Sequence, residues 1–234
     1  MPVFLAQDII EQEAFLDEEE SRHLIRVLRL KEGARVNLVD GKGTLYKGLI
    51  SLADFRKTRV RILETFKDHL AREYYIHIAI APTKSTDRFE WFLEKATEIG
   101  VDEISPILCA RSERDRIRPD RSEKILMTAM KQSGRAHLPR LNPFLPFTKF
   151  VQHAEADYKY IAHCHAKPGY RLEKPATGKL SWLVLIGPEG DFTLEEVDKA
   201  LSGDYKEINL GEAVYRTETA GIMACQLINY LNNS

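Results

Sequence analysis

Cysteine is scarce in this sequence and absent from every spacing that binds metal or cycles redox. Cys109, Cys164 and Cys225 are odd in number, far apart and free of any C-x-x-C pair. That argues against a disulfide framework and a Cys-rich zinc site, and it fits a reducing cytoplasm. No run of about 18 consecutive apolar residues of the kind that spans a bilayer occurs. The start, MPVFLAQDIIEQEAF, has no basic segment ahead of an apolar stretch, so the expectation is a soluble protein that is not exported. Internal repeats and low-complexity tracts are missing as well. Net charge is nearly absent, at −1 over 234 residues.

What is present is a chain of ordinary apolar content, 44% hydrophobic, long enough for one large or two small domains with a real core. The small net charge conceals segregated fields. Residues 1–21 carry seven acids and no Lys or Arg, whereas residues 22–61 carry eleven bases against three acids. Residues 111–140 hold nine bases against four acids, and residues 181–234 reverse to nine acids against three bases. Two basic stretches are what a polyanion-binding surface requires, since each neutralised phosphate releases counterions; solvated helix and strand faces account for them equally well.

The first 70 residues read as β-rich. Val36 to Ile50 forms two strand-like runs around Asp40-Gly41-Lys42-Gly43, a hairpin signal, and Thr58 to Phe66 alternates as a further strand. From about Tyr74 the pattern becomes strand-helix alternation. Tyr74 to Ala81 predicts a buried strand, followed by a helix with Phe89, Phe92, Leu93 and Ala96 on one face. Strands are expected over VDEISPIL, over Tyr158 to Cys164, at Leu183 to Ile186 and over EINLG, with a helix ending at Gly134 and another from about Thr217. This alternation implies an α/β fold with a mostly parallel sheet. The last helix carries Ala220, Met223, Ala224, Leu227, Ile228 and Leu231 at helical spacing. That face must bury against its own sheet or a second subunit.

Two loops stand out. In LVLIGPEGDFTLEEVDKA a continuously apolar strand runs into Gly-Pro-Glu-Gly, and Thr193 with Glu196 forms a T-x-x-E capping box for the next helix. In INLGEAVYRTETA the plan repeats: a strand, Gly211, a short loop and a Thr/Glu-rich helix start. Ligands of α/β sheets bind at the carboxyl ends of strands, where glycines let the backbone come close and helix starts offer free N–H groups. The GPEG loop is neither G-x-G-x-x-G nor G-x-x-x-x-G-K-[ST], which argues against dinucleotides and nucleoside triphosphates in their usual modes. The acidic surroundings suit a cationic ligand.

Together with SRHLIRVLRLKEGARVNLVDGKG and KQSGRAHLP, the blocks LVLIGPEGDF and LGEAVYRTETA resemble the bacterial ribosomal RNA small subunit methyltransferase E family, of the SPOUT superfamily, over nearly the whole chain. The resemblance implies an α/β SPOUT-type domain with a parallel sheet and a trefoil knot over residues 71–234, preceded by a small PUA-like β-barrel that holds RNA over residues 1–70. It implies a homodimer, S-adenosylmethionine as donor, and N(3) of the uridine at position 1498 of 16S ribosomal RNA as acceptor. The cofactor residues it implies are Ile186, Gly187, Pro188, Glu189 and Gly190 in the first loop, and Leu210, Gly211, Tyr215, Arg216, Thr217 and Thr219 in the second. Asp191 stands where the family usually has another glycine, and Tyr215 where it usually has an aliphatic residue. Asp adopts a left-handed backbone more readily than most residues. MPVFLA offers no counterpart of the family's arginine near the N-terminus.

The chemistry implied is in-line methyl transfer to a ring nitrogen that must lose a proton, with charge spreading onto two carbonyl oxygens. Arg216 is the candidate to stabilise that charge, an ion pair with a neighbouring Glu being the competing reading. Glu218 is a candidate base, though the dipole of the helix it opens also explains a carboxylate there. Arg22, Arg26 and Arg29, at helical spacing, and Arg135 are the expected RNA contacts, with Arg114, Arg116, Arg118 and Lys131 extending the surface. His163-Cys164-His165 is read as part of a strand and not as a metal site, so no metal is expected. The rival readings are a related SPOUT enzyme acting on another base or a ribose, and an RNA-binding protein with a degenerate donor pocket.

Overall fold

A computed structural model describes residues 3–167, 169–173 and 180–233. The chain divides into two compact units, one of residues up to Ala71 with Met127–Leu138, the other of Arg72–Leu126 and the chain from Pro139 onward. The segment Met127–Leu138 belongs to the first unit because Met130 and Ala136 are buried against Val39 and Leu45. Hydrophobic spacing in a helix does not say which sheet it covers, so this return of the chain has no local signal.

The first unit is a six-stranded mixed sheet. Its strands are β1 (Val3–Leu5), β2 (Asp8–Ile10), β3 (Glu13–Phe15), β4 (Arg35–Val39), β5 (Leu45–Leu52) and β6 (Arg59–Phe66), ordered β1-β4-β5-β6-β3-β2. The expected hairpin is β4–β5, closed at Val39 opposite Leu45, with Asp40 Oδ1 accepting from the backbone N–H groups of Lys42 at 2.8 Å and Thr44 at 3.0 Å. Phe4, Leu16, Leu24, Leu38, Ile50 and Val60 fill its core. Between β3 and β4, helix α1 (Glu18–Arg22) passes into a π-helical turn over His23–Val27. The helix stops there, and Arg29 lies beyond it with a left-handed φ of 56°. The expected run of three arginines on one helix face is thereby corrected: the wider π turn changes the angle per residue after Arg22, and Arg29 is not helical.

The second unit is a wholly parallel sheet. Its elements are β7 (Tyr74–Ile80), α2 (Thr86–Ile99), β8 (Glu103–Leu108), α3 (Pro119–Ser133, of which the residues from Met127 on belong to the first unit), the short β9 (Arg140–Leu141) and β10 (Leu145–Pro146), α4 (Phe147–His153), β11 (Tyr158–Ala162), β12 (Leu180–Ile186), α5 (Leu194–Ser202), β13 (Lys206–Ile208) and α6 (Thr217–Asn233). The strand order is β10-β8-β7-β12-β11-β13, with β9 beside β8. β12 lies in the interior of the sheet, and its Trp182 to Ile186 are buried, as a continuously apolar strand requires. Beneath the sheet, His77 on β7 sits 2.7 Å from Ser105 Oγ and edge-on to Phe150. Burial pulls its pKa down to about 4 against the attraction of Glu103.

Helix α6 packs on β7, β12 and α2 with Gly221, Ala224, Cys225 and Ile228 buried. The buried face is rotated from the expected stripe: Ala220, Met223, Leu227 and Leu231 are only half-buried. In a helix this apolar, spacing alone does not fix which side turns inward. Asn229 anchors the helix, accepting from Arg72 Nη1 at 2.8 Å and from the Tyr74 hydroxyl at 2.7 Å. Among the described residues no helix is long and apolar enough to cross a membrane.

Candidate active site

Three neighbouring parallel strands, β12, β11 and β13, end level with one another, with Ala162 paired to both Ile186 and Ile208. The loops that leave them converge on a cavity of about 290 Å³, close to the lower end of the range for small-molecule sites. One wall is Ile186 to Glu189 with Asp191, the second is Asn209 to Thr217, and the third is Ala162, His163 and Cys164. This is the crevice outside the carboxyl ends of strands where α/β sheets bind ligands.

Each loop is held by specific bonds. At the first, a Cβ on Gly187 would stand 3.1 Å from the ring of buried Phe192, so a side chain there would press on that ring. Asp191 is left-handed, with φ 61°. Its Oδ2 accepts from the N–H of Cys164 at 2.9 Å, its Oδ1 from the N–H of Phe192 at 2.8 Å, and its own N–H donates to Pro188 O at 2.9 Å. Asp191 thus ties the loop after β12 to the loop after β11. Glu189 accepts from the N–H of Lys84 at 2.9 Å, and α5 begins with the expected box: Thr193 Oγ1 accepts from Glu196 N–H and Glu196 Oε2 from Thr193 N–H.

In the second loop, the Gly211 N–H donates to Asn209 Oδ1 at 2.8 Å, and the Tyr215 hydroxyl lies 2.8 Å from where a Gly211 Cβ would be. Tyr215 therefore folds over the bare Gly211, and a side chain there would push its hydroxyl aside. Buried Thr217 donates its hydroxyl to Gly187 O at 3.0 Å and staples the two loops together. Arg216 is exposed, and its guanidinium makes no ion pair or hydrogen bond among the described residues. Glu218 points away: its side chain is 9% exposed, its Oε1 lies 3.8 Å from Arg88 Nε, and Oε2 has no hydrogen-bond partner.

Of the expected cofactor residues, Ile186, Gly187, Pro188, Glu189, Leu210, Gly211, Tyr215, Arg216 and Thr217 line the cavity, whereas Gly190, Thr219 and Glu218 do not. Gly190 turns its carbonyl to Arg111 Nη1 at 2.7 Å. The third wall escaped the sequence reading. His163-Cys164-His165 was expected inside a strand, but β11 ends at Ala162 and the tripeptide forms the loop beyond it. The signal that would have found it is the adjacency of β11 to β12, which no local pattern carries. Among the described residues no three His, Cys, Asp or Glu side chains cluster as a metal site.

The expected RNA residues lie in the first unit. Arg22 pairs with Glu18, Arg26 stacks 3.9 Å above the Phe55 ring, Arg29 is exposed and Arg135 is half-buried. Lys131 is engaged by Glu20 in that unit. In the second unit, Arg114 donates to Thr83 O and Lys84 O, which leaves it a structural part.

Comparison with known proteins gives this geometry a family. Residues 71–229 match the model of an RNA methyltransferase domain, and residues 16–63 that of an RNA methyltransferase PUA domain. The chain is similar to a probable rRNA-methyltransferase from Porphyromonas gingivalis, 39% identical with a TM-score of 0.87, covering 100% of this chain and 99% of that one. It is similar to a ribosomal RNA small subunit methyltransferase E from Neisseria gonorrhoeae solved with S-adenosyl methionine, 26% identical with a TM-score of 0.86, covering 99% and 98%. The protein of the same name from a Synechocystis species is 29% identical over 99% of this chain and 78% of its own length. The chain belongs to the RNA methyltransferase family, in the branch that includes the ribosomal RNA small subunit methyltransferase E proteins.

Proposed function

We propose that the protein methylates N(3) of the uridine at position 1498 of 16S ribosomal RNA, with S-adenosylmethionine as donor, acting in the cytoplasm on the small subunit as a homodimer. The observation that carries this is the cavity built from the GPEG and Leu210–Thr217 loops at adjacent strand ends, in a chain matched nearly end to end by the family. The residues fit the donor. Glu189, Asp191 and Glu212 stand in the cavity wall against the single base Arg216, which suits a cation, and the bare Gly187 and Gly211 leave the backbone within reach of a nucleoside. Two domains, a PUA-like unit for RNA and a catalytic unit for the donor, belong to the same proposal, as does the family's trefoil knot in the latter. Half-buried Met223 and Leu227 with exposed Tyr230 on α6 support the second copy.

When bound, the donor supplies a methyl group carried on a sulfonium. The part of this chain is to hold the reactants in attacking geometry and to stabilise charge. Arg216, at the cavity and unpaired among the described residues, is assigned to the carbonyl oxygens of the uracil as its nitrogen loses the proton. Glu218, turned toward Arg88, is assigned to holding the start of α6. Arg22, Arg26, Arg29 and Arg135 are assigned to the RNA backbone.

The test is incubation with labelled S-adenosylmethionine and small subunits from cells lacking the modification, followed by nucleoside mass spectrometry. N(3)-methyluridine at one site is expected; label in another nucleoside would move the function to a sister enzyme. Arg216→Ala should lower the single-turnover rate on saturating RNA by about 100-fold or more, the cost of removing one charge-stabilising donor. An unchanged rate would remove Arg216 from the chemistry.

A further inference from the structure

Among the described residues, His163 is the cavity residue whose side chain keeps a buried polar atom without a partner. The side chain is only 4% exposed, and Nε2 lies 2.9 Å from Glu207 Oε1 on β13. Nδ1 is shielded from water and has no hydrogen-bond partner. A ring flip would not help, because it would take Nε2 off Glu207 and give up that bond. Glu207 also fixes the tautomer: with the proton on Nε2 and donated to the carboxylate, Nδ1 is left as an acceptor. Buried acceptors without partners are rare and cost about 1–3 kcal/mol, so one on a residue that lines a ligand cavity marks a place for a donor group of the ligand.

We propose that His163 is a cofactor-binding residue whose Nδ1 accepts a hydrogen bond from a hydroxyl or amino group of the bound donor, and that Glu207 is the positioning residue that orients the ring for it. The inference rests on the reading of the cavity as the S-adenosylmethionine site. It gives a role to the wall after β11, which carries no glycine or phosphate-loop pattern. It also gives a role to the bond from Cys164 N–H to Asp191 Oδ2, which holds that wall against the GPEG loop one residue from His163.

Two substitutions separate ligand binding from a purely structural role. His163→Asn keeps an acceptor close to the position of Nδ1 and gives up Glu207. His163→Gln reaches Glu207 and gives up the acceptor near the backbone. Binding of S-adenosylhomocysteine is measured by calorimetry for the full chain and both variants, with no RNA and no turnover. The expected result is near-native affinity for His163→Asn and about a tenfold loss for His163→Gln, the loss of one hydrogen bond with a stranded partner. The reverse order would mean that the Glu207 contact alone matters and would overturn the proposal. Equal, native affinity in both would overturn it too, while leaving the cavity as the cofactor site. No binding by the unsubstituted protein would overturn the reading of the cavity itself. In the unsubstituted protein, ligands lacking single ribose hydroxyls or the amino group should include one whose loss of affinity disappears in His163→Gln. If every analogue loses the same factor in both backgrounds, Nδ1 does not touch the ligand.

Discussion

Gly221 joins stability to the cofactor loops, and replacing it by alanine sets two effects of opposite sign against each other. Within α6, Gly→Ala is worth about 1 kcal/mol in helix propensity, so an exposed site would gain. Here the new Cβ would stand 2.6 Å and 2.9 Å from Phe92 Cε2 and Cδ2 and 3.1 Å from Ile80 Cδ1. Phe92 and Ile80 are both fully buried, and Phe92 stacks on Phe89, so the ring has no free space to enter. Overpacking of this kind costs about 1–3 kcal/mol and a clash at 2.6 Å belongs at the upper end, which leaves a net loss of about 1–2 kcal/mol. For a chain of this size that is roughly a 2–8 °C fall in thermal midpoint. Because Thr217, one helical turn earlier, bonds Gly187 O, a displaced α6 should also weaken S-adenosylhomocysteine binding. Adding Phe92→Leu should recover part of both losses in a double-mutant cycle. An unchanged or raised midpoint for Gly221→Ala would show that propensity wins, and with it that α6 is not seated as tightly as these distances require.

At Asp191, alanine loses both bonds accepted by the carboxylate and keeps the left-handed strain, glycine loses the bonds and relieves the strain, and asparagine keeps an acceptor. Thermal midpoints should therefore fall in the order Asn, Gly, Ala, the last two separated by about 1 kcal/mol; alanine above glycine would refute the strain argument. His77, neutral and buried with its pKa at about 4, binds its proton more readily unfolded than folded. Its contribution is present above pH about 6.5 and is lost as pH falls toward 4, by up to about 3 kcal/mol. Glu103, whose burial is outweighed by the hydrogen bonds it accepts from Asn142 and Tyr75, is held below its ordinary value and loses its own contribution in the same direction as the pH falls. Urea denaturation from pH 7 to 4.5 should show the decline, and His77→Asn should flatten it; an equal slope in the variant would assign the acid sensitivity elsewhere.

Local chemistry in the sequence was enough for the elements that carry their own signals. The capping box of Thr193 and Glu196, the Asp40-Gly41 turn and the unbroken apolar run of β12 each depend on residues a few positions apart. What could not be read depends on neighbours distant in the chain. The order β12-β11-β13 decides that His163 and Cys164 meet the GPEG loop, and parallel pairing leaves no short-range trace of it. Of the apolar stripe on α6, Ala224 and Ile228 are buried within the chain and Ala220, Met223, Leu227 and Leu231 are half-buried, and spacing alone does not divide such a stripe between the chain's own sheet and a second subunit. Arg29 was put on a helix because spacing does not distinguish an α turn from the π turn at His23–Val27.

Asp191 and Tyr215 stand where the cavity walls meet, and each is fitted in place. A glycine at position 191 would reach the left-handed conformation without strain but would contribute no side chain. Asp191 accepts that conformation and uses its carboxylate to fasten the β12 loop to the β11 loop. Tyr215 is larger than an aliphatic residue, and its hydroxyl occupies the space that bare Gly211 leaves open. Asp191 adds a carboxylate and Tyr215 a hydroxyl to walls that also carry Glu189, Glu212 and Arg216. The cavity is thus held by contacts between its three loops, Asp191 to Cys164 and Thr217 to Gly187, rather than by any one of them. Loosening either link should therefore cost affinity for the nucleoside without touching a residue that carries the chemistry.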